Sequence, residues 1–156
     1  MSISIVNTYY SSGINTNQII TNSLNFSSGN SLYICIFIEN TKLVPTIIIS
    51  DTLNNTFKYN CSTSVSNPNN NNFSVFIFNA DNIIGSINDI LTFNFSSDVN
   101  SYISIIELNG TATKSLDKTS INSNNTSSNN ANITLTTSQL NDFGLISVIA
   151  PYSSNQ

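Results

Sequence analysis

The sequence predicts an all-β fold: a two-sheet antiparallel β-sandwich, jelly-roll-like, with about 8–10 strands. Short runs rich in Ile, Phe and Val alternate with polar residues, the period-2 pattern of strands. Clusters of Ser, Gly, Asn and Asp punctuate those runs at short intervals, as turns do. No segment carries a sustained 3.6-residue apolar period, although Thr137 to Phe143 could form one short turn. With 156 residues the chain fits one domain, able to bury roughly two thirds of its unfolded surface. Nine Phe and six Tyr in organised runs argue against disorder despite the low charge.

The elements follow in order. Residues 2–9, SISIVNTY, read as a first strand, and Ser11-Ser12-Gly13 as a hinge after it. Residues 1–10 are therefore expected to be an N-terminal strand or exchange arm, 11–152 the sandwich and 153–156 a flexible tail. NQIITNSLNF is a second strand, closed by Ser27-Ser28-Gly29-Asn30. In SLYICIFIEN, Leu32, Ile34, Ile36 and Ile38 share one face and Tyr33, Cys35 and Phe37 the other. Both faces are apolar, as in a central strand whose second face is covered or lies in an interface.

Pro45 precedes the strand TIIIS, and Asp51 to Asn55 turn the chain into TFKYNCSTSV. Ser66 to Asn72 lack an apolar anchor and read as a loop. Phe73, Val75 and Ile77 then alternate with Ser74, Phe76 and Phe78, again apolar on both sides. DILTFNFSS and SYISIIELNG are two strands separated by Asp98-Val99-Asn100. Asn122 to Asn130 form a hydrated loop, and GLISVIA, before Pro151, a closing strand.

Four stretches in this order carry a family likeness. They are Gly29-Asn30-Ser31-Leu32, Ser50 to Phe57, the strand Tyr102 to Gly110 ending in Glu107-Leu108-Asn109-Gly110, and Ser115-Leu116-Asp117-Lys118. From about Tyr9 to Ile149 the chain resembles a β-sandwich domain recurrent in bacterial extracellular, phage and cell-surface proteins. The resemblance implies a hairpin at Ser50 to Phe57 and an adhesive, stalk-like or shell role, with no catalytic residue. The chain departs from the pattern at Asn54-Asn55, where the group has glycine, but asparagine tolerates the left-handed conformation.

Charge is scarce: four Lys+Arg, eight Asp+Glu and no His give a net charge of −4. Lys42, Lys58, Lys114 and Lys118 form no basic stripe, which argues against nucleic acid as a partner. No apolar stretch is long enough to insert in a membrane, and no secretory signal is visible. Work outside a cell then implies exit by lysis, an exporter or a maturing particle, or removal of a signal. Cys35 and Cys61 could remain thiols or close a loop of about 25 residues, a bridge worth roughly 3–4 kcal/mol. Asn25, Asn54, Asn60, Asn72, Asn94, Asn109, Asn124, Asn125 and Asn132 fit the glycosylation pattern, as the composition alone makes common.

The search for chemistry predicts no enzyme, no cofactor and no metal site. Without His there is no imidazole triad or ligand, and the serines have no elbow motif or lysine partner. Asp51, Asp81, Asp89 and Asp98 lie near strand ends, where they could offer oxygen ligands to Ca²⁺ or be ordinary turn aspartates. Glu107 shares parity with Ile103 and Ile105, so it needs a partner, hydrogen bonds or a wet strand end. An isopeptide link from Lys58, assisted by Glu107, is the covalent alternative. Tyr9, Tyr10, Tyr33, Tyr59 and Tyr102 could stack on sugars or belong to the core.

The function expected is a self-assembling structural module of a surface fibre, appendage, shell or virus or phage particle, at an extracellular, cell-surface or particle-surface location. Its partners would be copies of itself, with Ile3, Ile5, Tyr33, Cys35, Phe37, Phe76 and Phe78 as interface candidates. The alternative is a non-catalytic module that binds glycans or a host surface.

Overall fold

The computed structural model describes residues 3–41, 43–66 and 72–111, with Thr119, Ser120, Thr134, Thr136 and Gly144. The expected GLISVIA strand, the turn at 137–143, the asparagine-rich loops at 66–72 and 122–130, and Ser115 to Lys118 fall wholly or mostly outside them.

Six strands are described: β1 Ser4–Ile20, β2 Ser31–Thr41, β3 Ile47–Asp51, β4 Lys58–Ser66, β5 Asn72–Ala80 and β6 Leu91–Asn109. They form one open antiparallel sheet in the order β1-β6-β2-β5-β4, with β3 also paired to β6. The architecture is an all-β, jelly-roll-like sandwich, and β6 is its spine. Its second half, Asn100 to Leu108, pairs with β2, while its first half, Leu91 to Phe95, pairs with β3. β1 runs along the other side of both halves.

Two expected strand pairs are therefore single strands. The hinge at Ser11 to Gly13 lies inside β1, and Asp98-Val99-Asn100 lies inside β6. The chain bends there instead of stopping. Between the pairs Thr16–Val99 and Gln18–Asn94, one β1 residue, Asn17, faces four on β6, residues 95–98. A bulge of this kind bends a strand and increases its twist. Opposite it, Asn15 adopts a left-handed φ of 49°. Gly13 lies so close to Thr16 and Ile19 that a Cβ would fall 2.6 Å from Thr16 Cγ2.

This corner lets both halves of the sheet feed one core. Leu32, Ile34, Ile36 and Ile38 of β2 are fully buried with Leu91, Phe93 and Phe95 before the bend and Ile103 and Ile105 after it. Each such side chain contributes roughly 1.5–3 kcal/mol by leaving water. The parity expected for β2 holds, with Tyr33, Cys35 and Phe37 half-buried on the opposite face.

Two connections close one end of the sandwich by pairing with each other. Residues 21–30 and 83–91 exchange backbone hydrogen bonds, among them Leu24 N–H to Asp89 C=O at 2.7 Å and Ile83 N–H to Asn30 C=O at 2.9 Å. Gly85 lies where a Cβ would be 2.3 Å from the Ser28 nitrogen, so only glycine permits this contact without a shift.

The segment Ser50 to Phe57 is not a hairpin. β3 pairs with β6 and β4 with β5, so this turn carries the chain between partners. Asn54 takes the left-handed conformation there, at φ 59°. Asp51 fastens the turn, accepting hydrogen bonds from Asn55 N–H at 2.8 Å and Asn55 Nδ2 at 2.6 Å.

Candidate functional site

Glu107 is wholly buried, and its carboxylate is satisfied by nitrogen donors. Oε2 accepts from Asn7 Nδ2 at 2.7 Å, and Oε1 from Ser27 N–H at 2.8 Å and Asn30 Nδ2 at 2.7 Å. Three donors in place of water meet the requirement a buried carboxylate sets. They join β1, the 21–30 connection and β6. The covalent alternative is not arranged: Lys58 instead reaches Asp81 Oδ2, at 3.4 Å.

The four aspartates do not converge on one point. Asp81 binds Lys58 and Asn79 Nδ2, and Asp98 is exposed on the bend. Its expected companions serve the corner: Asn94 accepts from Gln18 Nε2 and Asn100 accepts from Asn15 N–H, both at 2.8 Å. Asp89 is fully buried, and its Oδ1 accepts from Thr52 Oγ1 at 2.6 Å and Thr52 N–H at 3.3 Å. Its Oδ2 has no hydrogen-bond partner. Burial pushes this carboxyl above its ordinary pKa; the Thr52 hydroxyl opposes the shift and the charge of nearby Asp51 adds to it. Among the described residues no three Asp, Glu, Cys or His side chains gather as a metal site.

Cys35 and Cys61 are not joined to each other by a disulfide. Each lies opposite Ile77, on β2 and β4 respectively, so two strand spacings separate them. That is about 9–10 Å, beyond the Cα separation a disulfide spans. Burial and the neighbouring Cys35 raise the pKa of Cys61.

The surface feature that stands out is the outer face of β1, β6 and β2. Phe37 stacks on Phe73 at 6.0 Å between centroids and meets Tyr102 at 5.9 Å. Tyr10 and Tyr102 are 79% and 50% exposed. They line a groove of about 430 Å³ together with Cys35, Phe37 and Ile103 and the serines Ser11, Ser12 and Ser104.

Beside this groove lies the outer edge of β1, which pairs with β6 alone among the described residues. Its seventeen residues include no Asp, Glu, Lys, Arg or Pro, and the first charged side chain of the whole sequence is Glu39. Ile5, Val6, Tyr10, Ile14 and Ile20 of β1 are all exposed. Proteins ordinarily guard a long edge with charge, proline or bulges, and β1 has only bulges.

The sequence-derived interface candidates divide between surface and core. Ile5 is exposed, Ile3 half-buried, and Tyr33, Cys35 and Phe37 lie on the outer face. Phe76 and Phe78 belong instead to the core, opposite Ile36 and Ile34. Both faces of β5 are apolar, so alternation could not say which set points inward; register with β2 decides it. Val6 and Ile14 were missed because they occupy bulges, where alternation breaks. The uninterrupted lack of charge up to Glu39 was the available signal. No family model, curated protein or solved structure matches this chain.

Proposed function

We propose that the protein is a structural module that assembles with copies of itself, as the unit of a surface fibre, appendage, shell or virus or phage particle. The observation that carries this reading is the long, uncharged edge of β1 with its exposed apolar side chains. An edge strand offers unpaired N–H and C=O groups to any strand that approaches it. With a net charge of −4 spread thinly over the chain, little repulsion opposes the approach of a second copy. With β1 paired to β6 of its own chain, this reading assigns assembly to the other edge of β1, which has no partner among the described residues.

Negative-stain electron microscopy and size-exclusion light scattering on the full-length protein test this. Regular particles are expected, and Val6→Lys should disperse them without altering the circular dichroism spectrum. A monomer at high concentration would sink the proposal.

The second reading is glycan binding at the groove between Tyr10 and Tyr102, favoured by two exposed rings beside serine hydroxyls. It predicts saturable binding of an oligosaccharide that Tyr102→Ala abolishes, with no change in oligomeric state.

A further inference from the structure

We propose that β1 pairs antiparallel with β1 of a second copy about a twofold axis at Tyr10, an inference that rests on the self-assembly reading. The symmetry is visible in the strand itself. Irregularities between Ile5 and Asn7 and between Gly13 and Thr16 bracket one unbroken stretch of β1, from the pair Asn7–Glu107 to the pair Gly13–Ser101. Tyr10 is the midpoint of that stretch. A twofold axis there sets Tyr10 beside Tyr10 of the partner, Thr8 beside Ser12, and Val6 beside Ile14.

Each pairing is chemically matched. Val6 and Ile14 are exposed apolar residues, 41% and 78%, at equal distances from the centre, and each would shield the other from water. Thr8 and Ser12 are exposed hydroxyl residues, a favourable cross-strand combination. Tyr10, 79% exposed, gains an aromatic neighbour. Because Tyr10, Ser104 and Cys35 lie opposite one another across β1, β6 and β2, the two outer faces become continuous through the axis. No charged side chain of β1 is brought near its own copy, since β1 has none.

Among the described residues, the other edges suit this contact less well. β4 begins at Lys58, held by Asp81, and is irregular between Tyr59 and Cys61. β3 has five residues and ends at Asp51. An antiparallel β1 contact is isologous, so it closes as a dimer, and larger particles must use a second surface.

Single cysteines placed in a Cys35→Ser, Cys61→Ala background test the register under mild oxidation. Tyr10→Cys is expected to cross-link to itself. Val6→Cys and Ile14→Cys are expected to cross-link with each other when mixed but not alone, because each lies about 27 Å from its own symmetry mate. Self-linking at residues 6 and 14, or no link at 10 in material that electron microscopy shows assembled, overturns this register while leaving assembly standing. A dispersed monomer overturns both proposals. A second test keeps the natural cysteines. Thr8→Lys with Ser12→Asp should dimerise at least as well as the unaltered protein, whereas Thr8→Lys with Ser12→Lys should dimerise about tenfold more weakly. Equal dimerisation of the two variants overturns the register.

Discussion

Glu107 is buried with three nitrogen donors as its partners among the described residues, and the cost of that arrangement lies in those donors. Glu107→Ala would strand Asn7 Nδ2, Ser27 N–H and Asn30 Nδ2 together, and is expected to lower stability by about 3–5 kcal/mol in urea unfolding. Asp89 presents the opposite case, a buried carboxylate with one oxygen unserved. Its pKa is raised on folding, so the native state holds the proton more tightly than the unfolded chain. Its contribution is therefore most favourable below the unfolded value of about 3.9 and is lost as pH rises from there through the native value. Asp89→Asn should remove that decline, gaining stability relative to the unaltered protein as pH rises; parallel unfolding curves across pH would refute the assignment. Parity with Ile103 and Ile105 grouped Glu107 with the apolar face but left open whether it was hydrogen-bonded inside or sat at a wet strand end. Its donors were not legible, because Asn7, Ser27 and Asn30 lie 100, 80 and 77 residues away in the chain.

Among the elements, legibility followed the contrast between the two faces of a strand. β2 could be divided into an aliphatic set, Leu32, Ile34, Ile36 and Ile38, and a second set, Tyr33, Cys35 and Phe37, though both faces are apolar. β5 could not, since Phe76 and Phe78 compete with Val75 and Ile77 for the interior. The corner misled differently: Asp98-Val99-Asn100 has turn chemistry, yet it bends β6 without ending it. Pairing with β1 on both sides of the bend keeps the strand whole. The glycines at these junctions carry unequal demands. At Gly85 a Cβ would meet backbone, 2.3 Å from Ser28 N and 2.4 Å from Phe26 O, which cannot rotate aside. At Gly13 it would meet the side-chain ends of Thr16 and Ile19, which can. Gly85→Ala is expected to cost about 3 kcal/mol and Gly13→Ala about 1 kcal/mol. Thermal melts of the two variants check the order, and a reversed order would mean that the paired connections adapt more readily than the corner.

At the scale of the whole molecule, the sandwich depends on pairing its first strand with its last described one. Ser4 pairs with Asn109 and Ile20 with Thr92, so the partner of β1 among the described residues is not complete until most of the sequence has been made. Such distant pairing is slow, because loop-closure entropy must be overcome before the contact forms. At about 5–20 residues per second, a ribosome needs about 4–14 s to travel residues 21–90, which separate the two strands. Through that interval β1 is uncharged, strand-forming and unpaired on both edges. In the proposed assembly, chains growing side by side on one message would offer β1 the β6 of a neighbour during that interval, as acceptable a partner as its own. Under the proposed assembly, the rate of synthesis and the spacing of ribosomes would decide whether two copies end as paired edges or as exchanged strands, before the native contacts of either chain exist.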